Sequence, residues 1–293
     1  MVIAQIRGGL GNQLFQYAAA KSLSLHHNVP LLLEVSSFHR EELPDLEVPR
    51  NFELLHFNGI TEKIISPQEI GALINLRKGI ALPKLIIPAH KKSVYTEPFY
   101  HHDKNFFKSK RNVFLKGGWQ SEKYFKPHEN EIRNNLHLKD ALVERVTEKA
   151  NTLKIENSVS VHVRRGDYLR KKIIHEWHGV MDRDYYTRAF ELLNSKTGKQ
   201  KIYYFTDDTD WVSKNLQPLF GGEIMSGNVT QTQYEDLYLM SQCRNNIIAN
   251  SSFSWWGAWL NSYHDKIIIA PKKWFDKGFK DTQDVIPSEW IRI

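Results

Sequence analysis

One cysteine, Cys243, in 293 residues rules out a disulfide within the chain. None is needed, because a chain of this length buries enough apolar surface to fold without covalent staples. A lone thiol in an otherwise helical pattern reads as a small buried hydrophobe and points to a reducing compartment. Long hydrophobic runs are also missing. The longest, such as KIIIAP at 266–271, are of strand length and far short of the ~20 apolar residues of a membrane span. The first residues, MVIAQIRGG, lack the charged region and apolar stretch of a secretory signal. A cytoplasmic protein is therefore expected, and the sequons at Asn228-Val229-Thr230 and Asn250-Ser251-Ser252 read as chance matches. Internal repeats and low-complexity segments do not occur. An acidic excess is absent too: 40 Lys and Arg against 33 Asp and Glu leave a net charge of +7. That surplus suits an anionic partner such as a phosphate or a membrane face. It is spread over AHKKSV, KSKRN, RKK and PKKW rather than gathered into an arm, so nucleic acid is not an expected partner.

What is present is an alternation of strands and helices. The opening stretch VIAQIRGGLGNQLFQYAAAKSL reads as strand, glycine turn and helix, and VPLLLEV as a second strand. NVFLKGGWQSEKYF reads as a further strand and turn, and 127–154 as one polar helix, with a domain boundary at its end. The division expected is 1–154 and 155–293. The second half is more regular. NSVSVHVRRGDY, KIYYFTDD, RNNIIANSS and DKIIIAPKKW are strands; DRDYYTRAFELLNSK, TQYEDLYLMSQC and FSWWGAWLNSY are helices. This pattern implies an α/β fold with parallel sheets, whose ligands lie beyond the carboxyl ends of the strands.

Those ends carry the polar groups. Gly9 and Gly11 in the opening turn permit close backbone approach, and Asn12 stands at the helix start. The dinucleotide pattern G-x-G-x-x-G is broken by Leu14, although Glu34 ends the second strand where an acid would be expected; the G-x-x-x-x-G-K-[ST] phosphate loop is absent. Arg164 and Arg165 end one strand, and guanidinium groups there suit a diphosphate. Asp167 could orient an arginine or accept a proton. Asp208-x-Asp210 matches a metal-binding D-x-D pattern and equally a capped helix start. His26-His27 and His101-His102-Asp103 lack ligand spacing. Asn250, Ser251, Ser252 and Ser254 lie at a strand-to-helix junction able to cradle phosphate. Trp255, Trp256 and Trp259 could stack on a ligand or fill the core.

Together GGLGNQLFQYA (8–18), GGWQSEKYF (117–125), VHVRRGDY (161–168), YYFTDD (203–208) and EDLYLMSQCRNNIIANSSFSWWGAWL (235–260) resemble the bacterial α-1,2-fucosyltransferases. The resemblance spans nearly the whole chain and is weakest between about 35 and 110. It implies a GT-B fold of two Rossmann-like domains facing across a cleft, with the donor GDP-β-L-fucose on the second. It implies inverting transfer to the 2-hydroxyl of a terminal galactose, with no cofactor and no required metal. Arg164 would then neutralise the β-phosphate, and His162 would contact the ribose or diphosphate side. Arg165, Asn250 and Ser254 would help hold the donor, Ser251, Ser252 and Phe253 would line diphosphate and nucleoside, and Asp207 or Asp208 would lie near the nucleoside. Asn12 would reach the reacting phosphate–fucose region. Asp167 is the candidate base. Galactose-terminated O-antigen units are the expected acceptors, with the basic charge aiding contact at the cytoplasmic membrane face. Two other readings remain open: a metal-independent transferase of another nucleotide sugar, and a sugar-binding protein without activity, suggested by the 12% aromatic content.

Overall fold

A computed structural model describes residues 1–39, 49–74, 87–166, 179–275 and 281–293. The chain divides into two compact units, Met1–His137 with Asp281–Val285, and Leu138–Lys280 with Ile286–Ile293.

The first unit is built on a five-stranded parallel sheet of order β3-β2-β1-β5-β4. Its strands are β1 (Val2–Gln5), β2 (Leu31–Glu34), β3 (Lys63–Ile65), β4 (Val94–Thr96) and β5 (Val113–Lys116). The helix Leu10–His27 follows β1 and is buried along most of its length, with Phe15, Tyr17 and Ala18–Ala20 inaccessible to solvent. Its small alanines let it lie close on the sheet. It ends at Asn28, whose left-handed backbone (φ 50°) caps the last carbonyls. β4, the loop after it and the turns after β5 contribute core: Tyr95, Phe106, Trp119 and Tyr124 pack edge-on or tilted, with ring centroids 4.7–5.2 Å apart across four of the contacts.

The second unit has a six-stranded parallel sheet of order β11-β10-β9-β6-β7-β8. Its strands are β6 (Ser158–Val163), β7 (Lys201–Thr206), β8 (Glu223–Ile224), β9 (Asn245–Ile247), β10 (Ile268–Ala270) and β11 (Ile291–Arg292). β6 is buried at all six positions, as a central parallel strand must be. Local signals set the helices. Asp182 accepts the Tyr185 amide at the start of Arg183–Thr197, and Thr232 and Glu235 form a reciprocal capping box at the start of Gln233–Gln242.

The long helix expected over 127–154 is broken. A short helix, Glu129–Asn135, ends where the Asn58 and Gly59 amides take the carbonyls of His137 and Asn135 (2.8 and 3.2 Å), tying it to the first unit. The later helix, Thr147–Ile155, packs on Gln233–Gln242, and Arg145 forms a bidentate pair with Glu235 at 2.9 and 2.8 Å. The compact units accordingly divide between His137 and Leu138 rather than after 154. Cys243 is fully buried, and burial raises its thiol pKa, as a small hydrophobe requires.

Candidate active site

In the first unit's sheet the chain steps outward from β1 to β3, then places β4 at the opposite edge and β5 between β4 and β1. In the second unit's sheet it steps outward from β6 to β8 and then, on the other side, from β9 to β11, so its direction reverses once, between β6 and β9. Crevices at such points, outside the carboxyl ends of the strands, are where open α/β sheets bind ligands.

In the second unit that crevice is lined by His162, Arg164–Gly166 and the start of the helix Ser252–Leu260. The His162 ring lies 5.8 Å from the Phe253 ring. His162 is 5% exposed, and its Nδ1 is buried with no hydrogen-bond partner among the described residues. Burial, reinforced by the Arg164 charge, pushes its pKa down to about 3, so it is a neutral imidazole at physiological pH. Its carbonyl accepts the Tyr186 hydroxyl at 3.0 Å, which fixes the strand end.

The two arginines are held differently. Arg164 Nη1 pairs with Asp207 Oδ2 at 2.9 Å, while Asp207 Oδ1 accepts the Arg165 amide at 2.8 Å. One carboxylate thus sets both the Arg164 side chain and the backbone behind it. Arg165 turns its guanidinium over Trp211, 4.3 Å from the ring centroid, and its Nε lies 3.4 Å from Asp208 Oδ2. Asp208 Oδ1 also accepts the Trp211 amide at 3.0 Å, capping Thr209–Asn215. The D-x-D pattern is therefore engaged in capping and ion pairing at its first acid. Behind β7, the Thr206 amide donates to Ser226 Oγ (2.9 Å), which donates to Asp236 (2.8 Å), and Thr230 donates to the same carboxylate. Burial raises the Asp236 pKa to about 6 despite these donors.

At the β9 end, Ser251 precedes the first helical turn and makes no side-chain cap hydrogen bond. Ser252 and Phe253 are partly exposed at the helix start, where amides and helix dipole favour an anion. Ser254 points elsewhere. It is fully buried, and its hydroxyl donates to the Ser251 carbonyl at 3.2 Å. Asn250 is 1% exposed, with Nδ2 3.4 Å from the Trp274 carbonyl. Trp255, Trp256 and Trp259 are all buried against one another and form core. Asp167 lies outside the described residues.

In the first unit the β1 loop takes its left-handed turn at Gly8 (φ +79°), a residue the sequence reading passed over. A Cβ there would lie 3.1 Å from Asn12 Nδ2. Gly9 begins the helix with extended backbone, and Gly11 is buried within it. Asn12 Oδ1 accepts Gln120 Nε2 at 2.8 Å, bridging the loops after β1 and β5. Gln13 is wholly structural: Nε2 donates to the Gly8 and Asn51 carbonyls at 2.8 Å, and Oε1 accepts the Glu53 amide at 2.9 Å. Glu34, the would-be ribose ligand of a dinucleotide enzyme, is buried and accepts the Ser36 amide at 2.7 Å.

Two parallel-sheet units of Rossmann type, the second with a guanidinium and a helix start at its reversal point, define a GT-B glycosyltransferase fold. The glycosyl transferase family 11 model matches residues 1–293, and the chain belongs to that family. It is similar to an alpha-1,2-colitosyltransferase of Escherichia coli, 33% identical over all of this chain and 99% of that protein. It is also similar to the mouse galactoside 2-alpha-L-fucosyltransferase Sec1, 26% identical over 100% of this chain and 74% of that one. Among solved structures, an Arabidopsis thaliana FUT1 variant in complex with GDP superposes with a TM-score of 0.51 at 12% identity, covering 93% of this chain and 71% of that chain. Among the described residues, no helix is long and apolar enough to cross a membrane.

Proposed function

We propose that the protein is an inverting galactoside α-1,2-fucosyltransferase that moves L-fucose from GDP-β-L-fucose to the 2-hydroxyl of a terminal galactose, in the assembly of an O-antigen or a related glycan. The observation that carries this reading is Arg164, set by Asp207 at the carboxyl end of β6, at the same reversal point as the open start of Ser252–Leu260. Breaking the sugar–phosphate bond leaves negative charge on GDP and oxocarbenium character on fucose. A guanidinium and helix-start amides offer fixed positive charge where that negative charge grows. Transfer then needs no metal, and activity is expected to survive EDTA unchanged; restoration by Mn²⁺ of activity lost to EDTA would overturn this point. Ser251, Ser252 and Phe253 would line the diphosphate and nucleoside. Neutral His162 would offer its ring nitrogen to the donor without adding charge.

Asn12 is proposed to act on the reacting region rather than on GDP. Asn12→Ala is expected to lower kcat about tenfold, the scale of one lost hydrogen bond. The dissociation constant for GDP, measured by calorimetry, should stay within about twofold of wild type. A collapse of GDP affinity with normal turnover would count against the placement.

The direct test is a transfer assay with GDP-fucose and a panel of galactosides, with the linkage read by NMR. Preference for UDP over GDP in a binding screen would point to another nucleotide sugar. A second reading has its own support, because the Escherichia coli relative is named for colitose. Colitose is L-fucose without its 3-hydroxyl, so a competition assay between the two GDP-linked donors separates the readings. A site built to hydrogen-bond that hydroxyl rejects the deoxy sugar strongly, whereas a site that leaves it in solvent accepts both.

A further inference from the structure

In the first unit, polar groups gather where the loops after β1, β4 and β5 meet, and their chemistry differs from that of the second unit's site. The Glu97 carboxylate stands directly after β4. Its Oε2 accepts the Gly118 amide at 2.7 Å and its Oε1 the Trp119 amide at 3.1 Å, both from the turn after β5. The turn is shaped around this carboxylate. A Cβ on Gly117 would lie 2.4 Å from Glu97 Cβ, and Trp119 adopts φ +54° with its ring buried in the aromatic core. Gly118 separates Glu97 from Gln120: a Cβ there would sit 3.7 Å from Glu97 Oε2 and 3.6 Å from Gln120 Cγ. Gln120 gives its Nε2 to Asn12, and its Oε1 is buried with no hydrogen-bond partner among the described residues.

A carboxylate and an unpartnered amide oxygen are both acceptors. They call for a ligand rich in hydroxyl donors, not for a phosphate. A solvent-exposed carboxylate with two amide donors would ordinarily be strongly acidic. Here burial outweighs the two amides and the nearby Arg7 charge and raises the pKa to about 7. The groups that face it are Arg7 from the loop after β1, Tyr95 on its own strand, and Tyr124 from the turn Glu122–Tyr124. Asp103 accepts the Tyr95 hydroxyl at 2.5 Å and gives its amide to the Tyr124 oxygen at 2.9 Å, so both phenols are held neutral and in place.

We propose that Glu97, with Gln120 beside it, receives the acceptor sugar, and that the Glu97 carboxylate accepts the hydrogen bond and then the proton of the hydroxyl that attacks. The inference rests on the transferase reading above. In the step, the acceptor oxygen forms its bond to the anomeric carbon, and the bond from that carbon to the phosphate oxygen breaks. The electron pair leaves with the nucleoside diphosphate, and the hydroxyl proton passes to Glu97. A group with a pKa near operating pH is effective in such a transfer, which contributes ~10²–10⁴ in rate.

The test uses the whole chain and Glu97→Gln, with kcat measured from pH 5 to 9, GDP affinity by calorimetry and thermal melting as the check on folding. The wild-type rate should rise with pH through an inflection near 7. Glu97→Gln should lose at least ~100-fold in kcat and lose that inflection, with GDP affinity within about twofold. Transfer by the variant within about fivefold of wild type overturns the proposal, as does an inflection that persists in the variant. A wild-type profile that is flat from pH 5 to 8 overturns it without recourse to any variant. If wild-type protein transfers no sugar in the same assay, the transferase reading falls and this proposal with it.

Discussion

Arg164→Ala is expected to reduce transfer by ~10²–10³ at saturating donor, the scale seen when one fixed charge or donor is removed from a developing anion. GDP should also bind more weakly, by about 10–100-fold, since a charge-assisted hydrogen bond is worth ~1.5–3 kcal/mol. The fold should stay intact, because the side chain is about a quarter exposed and its partner Asp207 keeps the Arg165 amide. Arg164→Lys should recover only part of the loss. Lysine restores a point charge but not the planar fork that can hold Asp207 and a phosphate oxygen together. Arg165→Ala serves as the contrast. That guanidinium covers Trp211 and faces Asp208, so its removal should lower the melting temperature more than it lowers kcat. Turnover of Arg164→Ala within tenfold of wild type would remove the main support for the proposed chemistry.

Much of this architecture is legible in the amino-acid sequence itself. Strands β1, β2, β5, β6, β7, β9 and β10 fall inside the stretches read as strands, because apolar runs bounded by glycine, proline or acidic residues are strong local signals. The capped starts at Asp182 and Thr232 were equally plain. Strands β3, β4, β8 and β11 are the four edge strands, two or three residues long, and exist because a single neighbour in the sheet offers them hydrogen bonds. The 127–154 helix failed for a related reason: its end carbonyls are taken by Asn58 and Gly59, residues far away in sequence.

The candidate site divides the same way. His162, Arg164 and Ser251–Phe253 stand at one reversal point, where strand ends placed them. Ser254 and the three tryptophans turned inward, since sequence gives the position on a helix but not which face meets the core. Glu97 and Gln120 were missed. Gln120 sits inside GGWQSEKYF, but its role depends on Asn12, 108 residues earlier. Glu97 follows a three-residue strand, and its significance lies in the amides of a turn 21 and 22 residues later.

Gly166→Ala should test the arrangement from the backbone side. A Cβ at Gly166 would lie 2.7 Å from Asp207 Oδ2 and 2.9 Å from Asp207 Cγ. Neither distance is tolerable, so the carboxylate must rotate away. Asp207 is not a loose side-chain end, because one oxygen holds Arg164 and the other the Arg165 amide. Moving it releases both. A catalytic group displaced by ~1 Å can lose ~10² in rate with its chemistry intact. Gly166→Ala is therefore expected to lower kcat by roughly that factor, although no atom of the added methyl need touch a substrate. Asp207→Ala should reproduce most of the loss, and the double variant should be little worse than either single one, since both act through the same carboxylate. Gly71→Ala supplies the control. A Cβ there meets nothing within 4 Å, and alanine favours the helix Pro67–Ile74, so activity should be unchanged and stability equal or slightly higher. Fully additive losses in the Gly166→Ala, Asp207→Ala pair would mean that Gly166 acts by a route other than Asp207, and the ordering of Arg164 by that carboxylate would have to be abandoned.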